Sequence, residues 1–123
     1  MPKRVILAED EPNIVESLRF LLARAGFEVG VCESGQRALD TVLADPPDVL
    51  VLDVMLPELD GLEVLRQMRA HDRGQSVPVL MLTAKGQRED RERAIEAGAN
   101  LFITKPFSNA ELVAAVEELA AAG

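Results

Sequence analysis

At 123 residues the chain has room for one domain with a sizeable core. Hydrophobic residues make up 48% of it and charged ones 28%, a globular balance and not a disordered one. A net charge of −8 argues against free nucleic acid or an anionic membrane surface as partner, and for a basic protein or a bound cation. Cys32 is the single cysteine, which excludes an internal disulfide and fits a reducing compartment. With no leader-like opening and no apolar run of membrane length, a cytoplasmic location is expected. Trp and Tyr are absent, so ring stacking has only four Phe to draw on.

Val5-Ile6-Leu7-Ala8 predicts a short buried strand, and Glu9-Asp10-Glu11-Pro12 opens a helix, since acids and proline suit a first turn. Ile14, Leu18, Leu21 and Ala25 recur at helical spacing, with Gly26 as the stop. Residues 27–32 predict a less apolar strand near a sheet edge. Ser34-Gly35 opens a helix through Ala38, Leu39, Val42 and Leu43, ended by Asp45-Pro46-Pro47. The central stretch follows. Asp48-Val49-Leu50-Val51-Leu52-Asp53 carries four apolar residues between prolines and stops on one carboxylate, the pattern of a strand buried on both faces.

Asp60-Gly61 predicts a turn, and Leu62, Leu65 and Met68 a helix ending near His71. Val77-Pro78-Val79-Leu80-Met81-Leu82 predicts another buried strand, closed by Thr83-Ala84. Residues 87–97, opening on Gln87, are nearly all charged, with Ala94, Ile95 and Ala97 as a thin apolar stripe and Gly98 as the stop. A helix held by so little is weakly anchored. Leu101-Phe102-Ile103-Thr104 predicts a last strand before Lys105-Pro106. Ser108-Asn109-Ala110-Glu111 has the S-x-x-E form of a capping box, and Leu112, Val113, Val116 and Leu119 give the final helix its inner face.

Five strands alternating with five helices predict an α/β fold, a doubly wound parallel sheet covered on both faces over residues 1–123. All strand C-termini then share one edge, where open α/β sheets keep their ligand crevices. Delivered there are Glu9, Asp10, Asp53, Thr83 and Lys105. Carboxylates brought together resist joint ionisation unless a cation lies among them, and an oxygen-only site suits Mg²⁺. A phosphoryl group on Asp53 would meet that cation, the Lys105 ammonium and the Thr83 hydroxyl, the charge compensation that phosphoryl transfer requires.

Taken singly, each residue has a plainer reading. Glu9, Asp10 and Glu11 equally fit an acidic helix start, Thr83 a loop cap, Lys105 a surface charge and Phe102 ordinary core. His71 reads as a solvated helix end and Cys32 as strand packing. The run Arg88-Glu89-Asp90-Arg91-Glu92-Arg93 reads as a solvated face, unless its thin packing makes it the segment that moves.

Four motifs in order resemble the receiver domain of two-component response regulators: Ile6-Leu7-Ala8-Glu9-Asp10-Glu11-Pro12; Leu52-Asp53-Val54-Met55-Leu56-Pro57 with Asp60-Gly61; Leu82-Thr83-Ala84; and Lys105-Pro106-Phe107. That resemblance implies the flavodoxin-like strand order 2-1-3-4-5. It also implies that Asp53 accepts a phosphoryl group from a histidine kinase or phosphotransfer protein. Asp10, Asp53 and the Met55 backbone carbonyl would hold Mg²⁺, with Glu9 acting through water. Lys105 would pair with Asp53 and then the phosphate, Thr83 would swing inward, and Phe102 would be the rotating aromatic of the switch. The surface over residues 87–119 would meet a downstream partner or effector domain, as a monomer or a phosphorylation-dependent dimer.

Gly98-Ala99 and Ile103-Thr104-Lys105-Pro106-Phe107 resemble the winged-helix subfamily of these regulators. Asn100 and Leu101 stand where that subfamily carries acids, and Ala110 where it carries Arg, so the charges of its dimer salt bridges are missing. Three rivals remain. An aspartyl-phosphate phosphatase of the haloacid-dehalogenase kind would want a carboxylate where Met55 stands, and a cap insertion. A flavodoxin-like carrier would want a hydroxyl- and glycine-rich first loop where Glu9-Asp10-Glu11 stands. A phosphorylation-independent adaptor of the same fold would need neither Mg²⁺ nor phosphate.

Overall fold

The computed structural model describes residues 2–84 and 88–122. Five parallel strands form one sheet: β1 (Arg4–Ala8), β2 (Glu28–Cys32), β3 (Val49–Asp53), β4 (Val79–Ala84) and β5 (Leu101–Lys105), ordered β2-β1-β3-β4-β5. Between and after them run α1 (Pro12–Arg24), α2 (Gly35–Ala44), α3 (Gly61–Arg69), α4 (Arg88–Ala97) and α5 (Asn109–Ala122). The doubly wound architecture and its strand order are those expected. β3 is central and buried at every residue, and β2 forms an edge.

Strand alternation divides the core in two. Val5, Leu7, Val49, Val51, Leu80, Leu82 and Ile103 pack toward Leu18 and Leu22 of α1 and toward Leu112, Val116 and Leu119 of α5. Ile6, Ala8, Leu50, Leu52, Val79 and Met81 pack on the opposite face, toward α2, α3 and Ala94 of α4. A strand between two apolar layers has no solvated face, which is why β3 carries no alternation in its sequence.

The local signals are realised at several ends. Gly26 takes φ +101° just past α1, a conformation that glycine adopts without strain. Ser34 caps α2 by accepting from the Arg37 N–H at 3.2 Å, and Ser108 caps α5 by accepting from the Glu111 N–H at 3.0 Å.

The Asp60-Gly61 signal falls at the entry to α3, one or two residues before Leu62, where Asp60 accepts from the Glu63 N–H at 3.0 Å as the N-cap. Other expectations are corrected. β4 begins at Val79, after Pro78, whose ring has no N–H to give the ladder. In α1 the buried pair is Leu18 and Leu22, while Leu21 is half-buried and Ala25 is the exposed C-cap. Ile95 points to solvent, leaving Ala94 as the buried residue among the described side chains of α4. Gln87 lies outside the described residues.

Candidate functional site

Register brings the site together. Ala8 pairs with Leu52 and Asp53 with Leu82, so the next residues, Glu9 and Thr83, arrive beside Asp53; Thr83 pairs with Thr104, one residue before Lys105. Glu9, Asp53 and Lys105 continue the strand parity that faces α1 and α5. Thr83, Thr104 and Phe102 continue the other, which faces α4.

The first set meets. Lys105 Nζ donates to Asp53 Oδ2 at 2.8 Å and to Glu9 Oε1 at 3.0 Å. The second Glu9 oxygen accepts from the N–H groups of Asp10 and Glu11 at 3.0 and 3.2 Å, and Asp53 Oδ1 accepts from the Met55 N–H at 3.0 Å. Glu9 and Asp53 are buried, and Asp10 is exposed. One carboxylate oxygen from each of Glu9, Asp10 and Asp53 lies within 4.8 Å of the other two.

Electrostatics follows from that crowding. Burial, then the hydrogen bond and repulsion from Asp53, push the Glu9 carboxyl up to about 7, against the pull of Lys105 and the Glu11 N–H. For Lys105, burial favours losing the proton, but the pairs with Asp53 and Glu9 outweigh it and raise its pKa. Three converging carboxylates, one open to solvent, are a hard-oxygen donor set that fits Mg²⁺.

Backbone shape holds the acids in place. Gly61 packs so close to β3 that a Cβ there would stand 2.2 Å from the Asp53 carbonyl oxygen. Its N–H also donates to the Val54 carbonyl at 2.9 Å, closing the loop over residues 54–60. Glu58 within that loop has φ +69°. The Lys105–Pro106 bond is cis.

Thr83 and Phe102 stand apart from the triad. The buried Thr83 hydroxyl bonds Thr104 Oγ1 at 3.5 Å, and the half-buried Phe102 ring lies 4.6 Å beneath the Arg91 guanidinium. Sequence reasoning missed three residues that fix this region. Arg69 donates to the Gly98 carbonyl through Nε at 3.1 Å and Nη2 at 2.8 Å, and to the Gly74 carbonyl at 2.7 Å. Asn100 Oδ1 accepts from Arg69 at 3.1 Å and from the Val79 N–H at 2.8 Å. Arg91 sits inside a charge run whose spacing gives no sign of the ring it covers.

Fold and site together define an open α/β sheet protein with a cluster of carboxylates at its carboxyl edge. The response regulator receiver domain matches residues 5–117, and the chain belongs to that family: it is a receiver domain of two-component signalling. The response regulators MprA of Mycolicibacterium vanbaalenii and Mycobacterium tuberculosis are each 42% identical to it over 119 residues, 97% of this chain and 51% of theirs. The chain thus spans about half the length of the curated relatives it matches. A putative response regulator from Chloroflexus aurantiacus superposes with a TM-score of 0.92 at 36% identity, covering 98% of this chain and 99% of that one. The receiver domain of the Pseudomonas aeruginosa sensor histidine kinase PA1611 gives 0.85 at 30% identity, with the same coverage, and has a magnesium ion coordinated in its active-site cleft. Among the described residues, no helix is long and apolar enough to cross a membrane.

Proposed function

We propose that residues 1–123 form a single receiver domain in which Asp53 is the phosphoacceptor. The observation that carries this reading is one ammonium, Lys105, within 3.0 Å of both Asp53 and Glu9 at the carboxyl edge of the sheet. An Asp53 oxygen attacks the phosphorus of a phosphohistidine on a histidine kinase or phosphotransfer protein. The P–N bond breaks, and the imidazole leaves with the electron pair and takes up a proton. Asp53 gains an acyl phosphate.

Asp10, Asp53 and the Met55 carbonyl would hold Mg²⁺, with Glu9 acting through water. Bound there, the ion supplies positive charge against the phosphoryl oxygens. Lys105 transfers its contact from the Asp53 carboxylate to the new phosphate. Thr83 leaves Thr104 and turns its hydroxyl toward the phosphate, and Phe102 moves into the space behind it. The shift changes the surface over residues 87–119, which a downstream partner or effector domain reads as a population change. The chain assists its own phosphorylation and dephosphorylation and acts on no separate substrate. It works in the cytoplasm, as a monomer or a phosphorylation-dependent dimer, without touching nucleic acid itself.

The test is phosphate uptake from acetyl phosphate with Mg²⁺. The wild type should acquire one base-labile phosphate and the Asp53→Asn variant none. Full labelling of that variant would leave the adaptor reading in its place.

A further inference from the structure

Arg91 of α4 holds its guanidinium carbon 4.6 Å from the centre of the Phe102 ring, within the range at which an aromatic face attracts a cation. Phe102 pairs with Met81 and lies two residues before Thr104, the partner of Thr83. Its ring is therefore diagonal to Thr83 on the sheet face that α4 covers. The ring is half-buried and Arg91 is exposed, so the guanidinium lies over the outer side of a ring that otherwise packs on the core.

We propose that Arg91 is a latch that holds Phe102 in its resting position and so opposes phosphorylation of the domain. This rests on the phosphoacceptor reading above. A conformer in which the ring turns toward the space beside Thr83 has to give up the Arg91 contact. The contact therefore stabilises only the resting conformer, and by linkage it weakens any ligand that prefers the other one. Exposed cation–π contacts are the weak kind, so Arg91 tunes the equilibrium: its removal should tighten such a ligand about two- to fivefold. The rival is that Arg91 is one charge of a solvated helix face and lies over the ring without consequence.

Beryllofluoride, a phosphoryl mimic, distinguishes them when titrated calorimetrically with Mg²⁺ onto wild type, Arg91→Ala, Arg91→Lys, Phe102→Leu and the Arg91→Ala/Phe102→Leu double variant. Arg91→Ala should bind about two- to fivefold tighter and Arg91→Lys close to wild type. Arg91→Ala should add nothing in the Phe102→Leu background. The Arg91 Hδ protons, shifted upfield by the ring current in the free protein, should move toward their ordinary positions as beryllofluoride binds. Protons that stay shifted in the beryllofluoride-bound protein would show that the contact survives in the bound conformer, which overturns the latch. Unchanged or weaker binding by Arg91→Ala, or the same gain in the Phe102→Leu background, overturns the latch and leaves Asp53 as acceptor. Failure of the wild type to bind beryllofluoride at all overturns both.

Discussion

Lys105 reaches Asp53 across 2.8 Å, so the carboxylate that ends the central strand is ion-paired in the resting protein. The same ammonium serves Glu9 at 3.0 Å, one cation between two acids. Lys105→Ala leaves both acids facing each other unneutralised and, on the phosphoacceptor reading proposed above, removes a donor to the phosphoryl group. Labelling of Asp53 by acetyl phosphate should slow about a hundredfold, the scale for losing one such donor. Time courses by intact-protein mass spectrometry would read this directly. A variant labelled at the wild-type rate would take Lys105 out of the chemistry.

Glu9 makes the site sensitive to pH near neutrality. Its carboxyl titrates at about 7 in the folded chain against an ordinary 4.5. Between those values the unfolded chain gives up the proton while the folded one keeps it, so the metal-free protein loses stability as pH rises through that window. A cation among the carboxylates favours the ionised form. Mg²⁺ should therefore bind roughly tenfold more tightly at pH 8 than at pH 6, with release of a proton. Calorimetric titrations in buffers of different ionisation heat would count that proton. Glu9→Gln should flatten the profile.

Gly61 stands against the backbone of Asp53, and a methyl group there has nowhere to go. Its Cβ would lie 2.2 Å from the Asp53 carbonyl oxygen and 2.9 Å from Val54 Cα. Gly61→Ala gains at most about 1 kcal/mol of helix propensity, while displacing packed backbone costs about 1–3 kcal/mol. The clash wins. The variant should unfold at lower urea and bind Mg²⁺ more weakly, because the displaced segment carries two of the proposed ligands, Asp53 and Met55. Gly26→Ala is the control. Its φ of +101° makes a methyl group strained, yet nothing lies within 4 Å and the site is elsewhere. It should lose about 1 kcal/mol with unchanged Mg²⁺ affinity.

The strands were legible because a parallel sheet covered on both faces writes itself as unbroken apolar runs. β3 could be located from Val49-Leu50-Val51-Leu52 alone. The triad was legible for the same reason: once strand ends are known and parallel, Glu9, Asp53 and Lys105 must share an edge. Helical faces were read less well. Leu21 and Leu22 are neighbours of equal hydrophobicity, and only tertiary packing decides that Leu22 is the buried one. Ile95 is apolar but exposed, while its neighbour Ala94 joins the core under α4, so the apolar stripe did not tell which of the two faces the sheet. Asp60 carries both a turn signal and a cap signal, and the α3 helix selects the cap. Arg69 and Asn100 had no local pattern to betray them, because the bonds that join them to each other, to Gly98 and to Val79 span about 20–30 residues.

Those two residues give the last prediction. Arg69 ties the end of α3 to the Gly98 carbonyl after α4 and to the Gly74 carbonyl, and Asn100 Oδ1 joins Arg69 to the Val79 N–H at the start of β4. Arg69→Ala leaves those carbonyls without their charged donor, a loss of about 1.5–3 kcal/mol. Asn100→Ala orphans the Val79 N–H and should cost about 1–3 kcal/mol. Asn100→Asp keeps an oxygen at that point and adds a negative charge facing Arg69, so it should stay within about 0.5 kcal/mol of wild type. Urea denaturation of the three variants separates these outcomes. The double variant Arg69→Ala/Asn100→Ala should lose less than the sum of its parts, because the two residues share a bond. If Asn100→Asp proves as damaging as Asn100→Ala, the amide N–H₂ and not the oxygen is what holds this corner together.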